Sequence, residues 1–151
     1  MKKIMITAAI ICIVLLNLNM KATNDADKKA VNDAILDYVE ALYQVEPDRI
    51  AKSVDVTLRK YGYWHPKDSD KYRDGSEMNY KQLYNLAARW NKSGQVDAKT
   101  AKKEITILDI LDKTASAKLV ASWGIDYFHM SKEDGKWKII NVIWQSHPPG
   151  D

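Results

Sequence analysis

The chain has 151 residues, room for one domain. Its formal net charge of +3 comes from the start of the chain: without Lys2, Lys3 and Lys21, Lys+Arg falls from 23 to 20 and equals the 20 Asp+Glu, so no basic excess is left for a nucleic-acid partner. The one cysteine, Cys12, lies in that same stretch, so the remainder carries no disulfide, thiol nucleophile or thiolate metal ligand.

Lys2 and Lys3, the uncharged and mostly apolar run from Ile4 to Leu16, a short polar stretch and then Ala22 predict a secretory signal peptide over residues 1–22. The domain is then 23–151. It is expected to be exported, to the periplasm or beyond, and to keep no stable membrane anchor after cleavage. A retained spanning anchor is the competing reading, because the run is only somewhat shorter than the roughly 17 to 25 residues that a transmembrane helix needs.

Asn24 or Asp25 can cap a helix in which Val31, Ile35, Val39 and Leu42 form one apolar stripe, with Tyr38 and Tyr43 at its edge. Glu46-Pro47-Asp48 breaks it, and Pro47 suits the first turn of a short second helix through Ile50, Ala51 and Val54. Val56 to Trp64 reads as extended and ends in the aromatic cluster Tyr61-Gly62-Tyr63-Trp64-His65-Pro66; the charged stretch Lys67 to Glu77 reads as a loop. Asn79 opens a third helix, with Gln82 in the capping-box position, a stripe of Leu83, Leu86, Ala87 and Trp90, and Gly94 as stop signal. Glu104 to Leu111 is rich in β-branched residues and reads as a strand, turning at Asp112-Lys113. From Ala115 to Trp144 the pattern is a large hairpin: Ala117 to Phe128 going out, Asp134-Gly135 as the turn, Trp137 to Trp144 returning.

Helices followed by consecutive antiparallel strands argue for an α+β fold, with about three N-terminal helices covering a sheet that must curl into a half-open cone. On one long outgoing strand, alternation places Leu119, Ala121, Trp123, Ile125 and Tyr127 toward the helices, making Trp123 and Tyr127 candidate pocket walls. The same alternation turns Asp126 outward. A carboxylate held against an apolar sheet could serve as a general base, but only a bulge, for which Gly124 is the place, would bring Asp126 inside. Phe128 and Val120 share that outer face. The return strand alternates poorly, which predicts cover on both sides. His65, His129 and His147 have no metal-ligand spacing; His129, near a strand end, could hydrogen-bond at a pocket mouth. No phosphate loop, nucleophile elbow or zincin helix occurs, and nothing implies a cofactor.

The segments Tyr61-Gly62-Tyr63-Trp64, Leu83 through Trp90-Asn91, Ile107 through Lys118, Trp123-Gly124-Ile125-Asp126-Tyr127 and Gly135-Lys136-Trp137-Lys138-Ile139 together resemble the lumazine-binding (SnoaL-like) branch of the NTF2-like superfamily, from about Ala30 to Pro148. The resemblance implies an α+β cone, a pocket between helices and sheet, and commonly a homodimer. It implies little about activity, since isomerases, cyclases, dehydratases and plain binding domains share the scaffold. The leading expectation is therefore a non-enzymatic domain that holds a small apolar or aromatic ligand, with Tyr61, Trp64, Trp90, Trp123 and Tyr127 as candidate walls. The alternatives are an isomerase, cyclase or dehydratase using Asp126 or His129 as acid or base, and a dimeric interaction module.

Overall fold

The computed structural model describes residues 25–150; the expected signal segment 1–22 lies outside the described residues. Among those described, no helix is long and apolar enough to cross a membrane. The first described residues are already helical, and helix α1 continues through residue 43. Its stripe of Val31, Ile35, Tyr38, Val39 and Leu42 is buried, and Ala34, Ala41 and Tyr43 join it. One whole side of the helix therefore lies on the sheet. Val45, at φ 59, ends it in the left-handed conformation, with the Glu46 N–H donating to the Ala41 carbonyl at 3.0 Å.

The later helices are short. Helix α2 spans Asp48–Ser53 and α3 spans Tyr80–Ala87. The cover is thus one long helix and two short ones, rather than three comparable N-terminal helices. Asn79 Oδ1 accepts from the Gln82 N–H at 3.0 Å while Gln82 Oε1 accepts from the Asn79 N–H at 2.8 Å, a complete capping box. Beyond Ala87 the helix loosens into turns that mix bonds to the third and fourth preceding residues and end at Gly94, φ 69.

Six strands form one sheet: β1 Val54–Tyr63, β2 Ser76–Asn79, β3 Lys103–Ile110, β4 Thr114–Ala121, β5 Gly124–Glu133 and β6 Lys136–Gln145. Their spatial order is β2-β1-β6-β5-β4-β3, antiparallel throughout except where β1 runs parallel to β6. Strand β2 arises at the end of the stretch read as a loop. It is short, mostly exposed and at the sheet edge, so little apolar pattern marks it.

The hairpin differs most from expectation. Its Asp134-Gly135 turn forms, with φ 48 and 74, the paired positive values that suit a two-residue hairpin loop. The outgoing run, however, is two strands, folded back at Ser122-Trp123 so that Ala121 pairs with Gly124. Gly124, φ 146, has no room for a Cβ because the Gln145 carbonyl oxygen occupies that place. This turn reverses the alternation. Before it the odd residues Ala115, Ala117, Leu119 and Ala121 are buried; after it the even residues Gly124, Asp126, Phe128 and Met130 are. Asp126 and Phe128 therefore face the helices, and Tyr127 faces out. The poor alternation of β6 has a different cause from two-sided cover. A register shift between His129 and Met130 on β5 inserts one extra β6 residue, so Trp137 and Ile139 are buried before it and Val142 after it, while Ile143 is exposed.

Candidate functional site

The concave face of the sheet, α1 and α3 line a small, half-open cavity of about 80 Å³. Its walls are rings and aliphatic chains: Tyr38 and Leu42 from α1, Leu83 from α3, Trp90 beyond it, Trp123 from the β4–β5 turn and Trp144 from β6. The rings brace one another. Trp123 stands edge-on to Tyr43 and Trp90 at centroid distances of 5.4 and 5.2 Å, and Tyr38 is edge-on to Phe128 at 5.1 Å. Trp144 can lie across β1 only because its register partner there is Gly62, where a Cβ would collide with the indole.

One charged side chain enters this apolar space. Lys60 shares the inward parity of Leu58 and Gly62 on β1, and only 6% of it is exposed. Its ammonium donates to the Tyr38 hydroxyl oxygen at 2.7 Å and faces Asp126 Oδ1 at 3.5 Å. It also lies 5.1 Å from the Trp144 ring centroid and 5.4 Å from that of Tyr38, within cation–π range. Asp126 is fully buried, and its other oxygen accepts from the Trp123 indole N–H at 3.3 Å. The result is a dry cluster of one ammonium, one carboxylate, one phenol and one indole donor.

Burial shifts both neighbours of the carboxylate. Desolvation, opposed in part by Asp126, holds the Lys60 ammonium below its usual range. Desolvation and then the nearby negative charge of Asp126 hold the Tyr38 phenol well above 10.0. A phenol and an amine in the wall of an apolar cavity, with a carboxylate behind the amine, can orient a polar ligand or move a proton.

Of the residues singled out in the sequence, Trp90 and Trp123 line this cavity and the other three do not. Tyr61, Trp64 and Tyr127 are 37%, 53% and 43% exposed. Tyr61 borders an open groove of about 460 Å³ along β1, β2 and the start of α3, which is larger but lined by exposed side chains such as Arg59, Glu77 and Gln82. Tyr127 points outward because of the Ser122-Trp123 reversal. The same reversal turns Asp126 inward and His129, three residues on and so on the opposite face of β5, outward, so the two do not share a site. His129 is exposed, with Nδ1 3.1 Å from Asn141 Oδ1, beside a shallow hollow that also touches Ser116 and Asp109. Among the described residues no group of His, Cys, Asp and Glu converges as metal ligands.

The sequence pattern does not mark Lys60, Tyr38 and Trp144 as site residues: Tyr38 lies at the edge of the α1 stripe, Trp144 ends a strand that alternates poorly, and Lys60 is one lysine in a strand that alternates weakly near its start. The one local signal was its position two residues from Leu58 and from Gly62.

The family model described as "Putative lumazine-binding" matches residues 26–145. A comparison with curated proteins finds no match. Among solved structures, an NTF2-like protein of unknown function from Methylobacillus flagellatus KT is similar at 26% identity and a TM-score of 0.60, covering 82% of this chain and 94% of that one. An NTF2-like protein with a cystatin-like fold from Novosphingobium aromaticivorans superposes at a TM-score of 0.61 with 10% identity, over 91% and 92% of the two chains. A third, from Shewanella baltica OS155, gives 0.59 at 16% identity, over 82% and 95%. The fold is thus the NTF2-like, cystatin-like α+β cone, and, with a family match running from α1 to the end of β6, the chain belongs to the family described as "Putative lumazine-binding".

Proposed function

We propose that this protein is an exported binding domain that takes a small, largely apolar or aromatic molecule into the cavity between α1, α3 and the sheet. The observation that carries this reading is the cavity itself: three indoles and a phenol around a single buried amine. A dry aliphatic core would hold the helices on equally well without the cost of burying Lys60 and Asp126. The size of the cavity bounds the ligand. At about 80 Å³ it is well below the roughly 300 to 1,000 Å³ of pockets that engulf drug-sized ligands, so a larger molecule must leave part of itself at the mouth or move Trp90 and Leu86. Because three of the five tryptophans line it, intrinsic fluorescence is a direct assay. Saturable quenching by small aromatic compounds, lost on Trp123→Ala in a protein that still folds, is the expected result. No saturable response across such a set, together with only empty protein in native mass spectrometry, would reject the binding reading.

A second reading, acid–base catalysis on a small molecule, is favoured by one observation: Asp126 is buried on the helix-facing side of the sheet, behind the cavity's Lys60 and Trp123, rather than on the outer face. Loss of turnover on Asp126→Asn, with binding kept, would separate it from simple binding. For the homodimer, the support is an apolar row across the outer face, where Tyr61 and Tyr127 flank Ile143 in register and each is more than a third exposed. A Tyr127→Lys/Ile143→Lys double variant is expected to halve the mass seen by light scattering; an unchanged mass would remove this face as the interface. Export rests on residues 1–22, and fractionation of cells producing the full chain, with N-terminal sequencing, tests it.

A further inference from the structure

Among the described residues Lys60 is the only side chain that brings a formal charge to the cavity lining, and its surroundings limit what it can meet there. The amine and Asp126 together are neutral, so an anionic ligand would leave a net negative charge in a dry site and a cationic one would face the ammonium. A neutral molecule with an oxygen acceptor suits the floor. The volume, between two and three times the ~30 Å³ share of one water, fits a group of a few heavy atoms.

We propose that Lys60 captures small neutral aldehydes or ketones as an imine, with Tyr38 and Asp126 moving the protons. This deepens the binding reading above and rests on it. In the first step the Lys60 ammonium gives a proton to Asp126 Oδ1, 3.5 Å away. The freed lone pair of Nζ attacks the carbonyl carbon, a C–N bond forms, and the π pair of the C=O moves onto oxygen. That oxygen takes the Tyr38 proton, and the Tyr38 oxygen, 2.7 Å from Nζ, takes one back from the new ammonium, leaving a neutral carbinolamine. Asp126 then returns its proton through the Tyr38 hydroxyl to the carbinolamine oxygen. The C–O bond breaks, water leaves, and the nitrogen lone pair closes the C=N bond. The product is an iminium that keeps the positive charge next to the Asp126 carboxylate. No oxidant, reductant or further reactant is consumed. Desolvation favours the first step, since it already holds the Lys60 amine below the basicity of a surface lysine.

The test is reductive trapping of the purified protein with propanal and cyanoborohydride at neutral pH, followed by peptide mapping. Lys60 is expected to gain one propyl group at least about tenfold faster than exposed lysines such as Lys52 and Lys92, as a desolvated amine in an apolar pocket should. Tyr38→Phe is expected to slow Lys60 labelling while leaving the exposed lysines unchanged. This comparison holds even if Lys60→Met does not fold. Labelling of the exposed lysines with Lys60 unmodified would overturn the capture. In that event the indole N–H resonances of Trp90, Trp123 and Trp144 distinguish the two readings. Saturable shifts with propanal would leave the cavity as a binding site without imine chemistry, and no shift would remove both.

Discussion

Lys60→Met removes one member of a buried ion pair and keeps most of the volume. At 3.5 Å and an effective dielectric of about 20, the Lys60–Asp126 attraction is on the order of 5 kcal/mol, most of it spent on desolvating the two groups. The loss therefore comes from what is left behind. Asp126, fully buried, would keep the Trp123 indole N–H but no countercharge. Breaking such a pair from one side costs about 3 to 5 kcal/mol, and the remaining indole donor places this one near the lower end, about 3 kcal/mol. Urea unfolding followed by tryptophan fluorescence at pH 7 should then show the midpoint falling by about 1 to 3 M, for a slope of about 1 to 3 kcal/mol per M. The double variant Lys60→Met/Asp126→Asn, with no charge left to strand, should return to within about 1 kcal/mol of the unaltered protein. A single variant that loses less than about 1 kcal/mol, or a double variant whose loss equals the sum of the two singles, would refute the picture of a dry, mutually dependent pair.

Further predictions concern the shape and the charges of the cone. Gly124→Ala puts a Cβ against the Gln145 carbonyl oxygen at φ 146 and should cost about 3 kcal/mol or more by thermal unfolding, whereas Gly135→Asn, in open space at φ 74, should cost less than about 1. Val45→Gly should raise the melting temperature, because a β-branched residue in the left-handed region stores on the order of 1 kcal/mol of strain; an unchanged or lower value would show that Val45 gains as much from packing. Asp27 accepts from Lys132 at 2.6 Å and from the Trp137 indole at 3.0 Å, chiefly through which its carboxyl lies below 3.8. A folded-state value below the unfolded one gives stability that is present above about pH 3.8 and lost as pH falls through the folded value, so Asp27→Asn should be less stable at pH 7 and indistinguishable near pH 2. Tyr38 has the opposite sign. Its raised value gives stability that is full below about pH 10 and lost as pH rises beyond, so Tyr38→Phe should flatten the decline in melting temperature between pH 10 and 11.5 relative to the unaltered protein.

Much of this fold is written locally. The α1 stripe, the Asn79/Gln82 capping box and the Asp134-Gly135 turn each depend on residues a few positions apart, and each forms where the pattern places it. The candidate site is not local in that sense. A two-residue reversal at Ser122-Trp123, closed by a glycine that only the Gln145 carbonyl makes necessary, inverts the parity of all of β5. By itself that exchanges Asp126 for Tyr127 at the concave face. Lys60, Tyr38 and Asp126 then meet from β1, α1 and β5, across separations of 22 and 66 residues. The sequence alone determined most element types, though not edge strand β2, together with the one-sided helix and the neutral charge balance, because these follow from short-range periodicity and composition. The tertiary structure decided which face each strand residue occupies and which polar groups share a dry space. Strand alternation has a period of two, so a single unread turn reverses every side chain after it, and no local pattern records the partner across the cone.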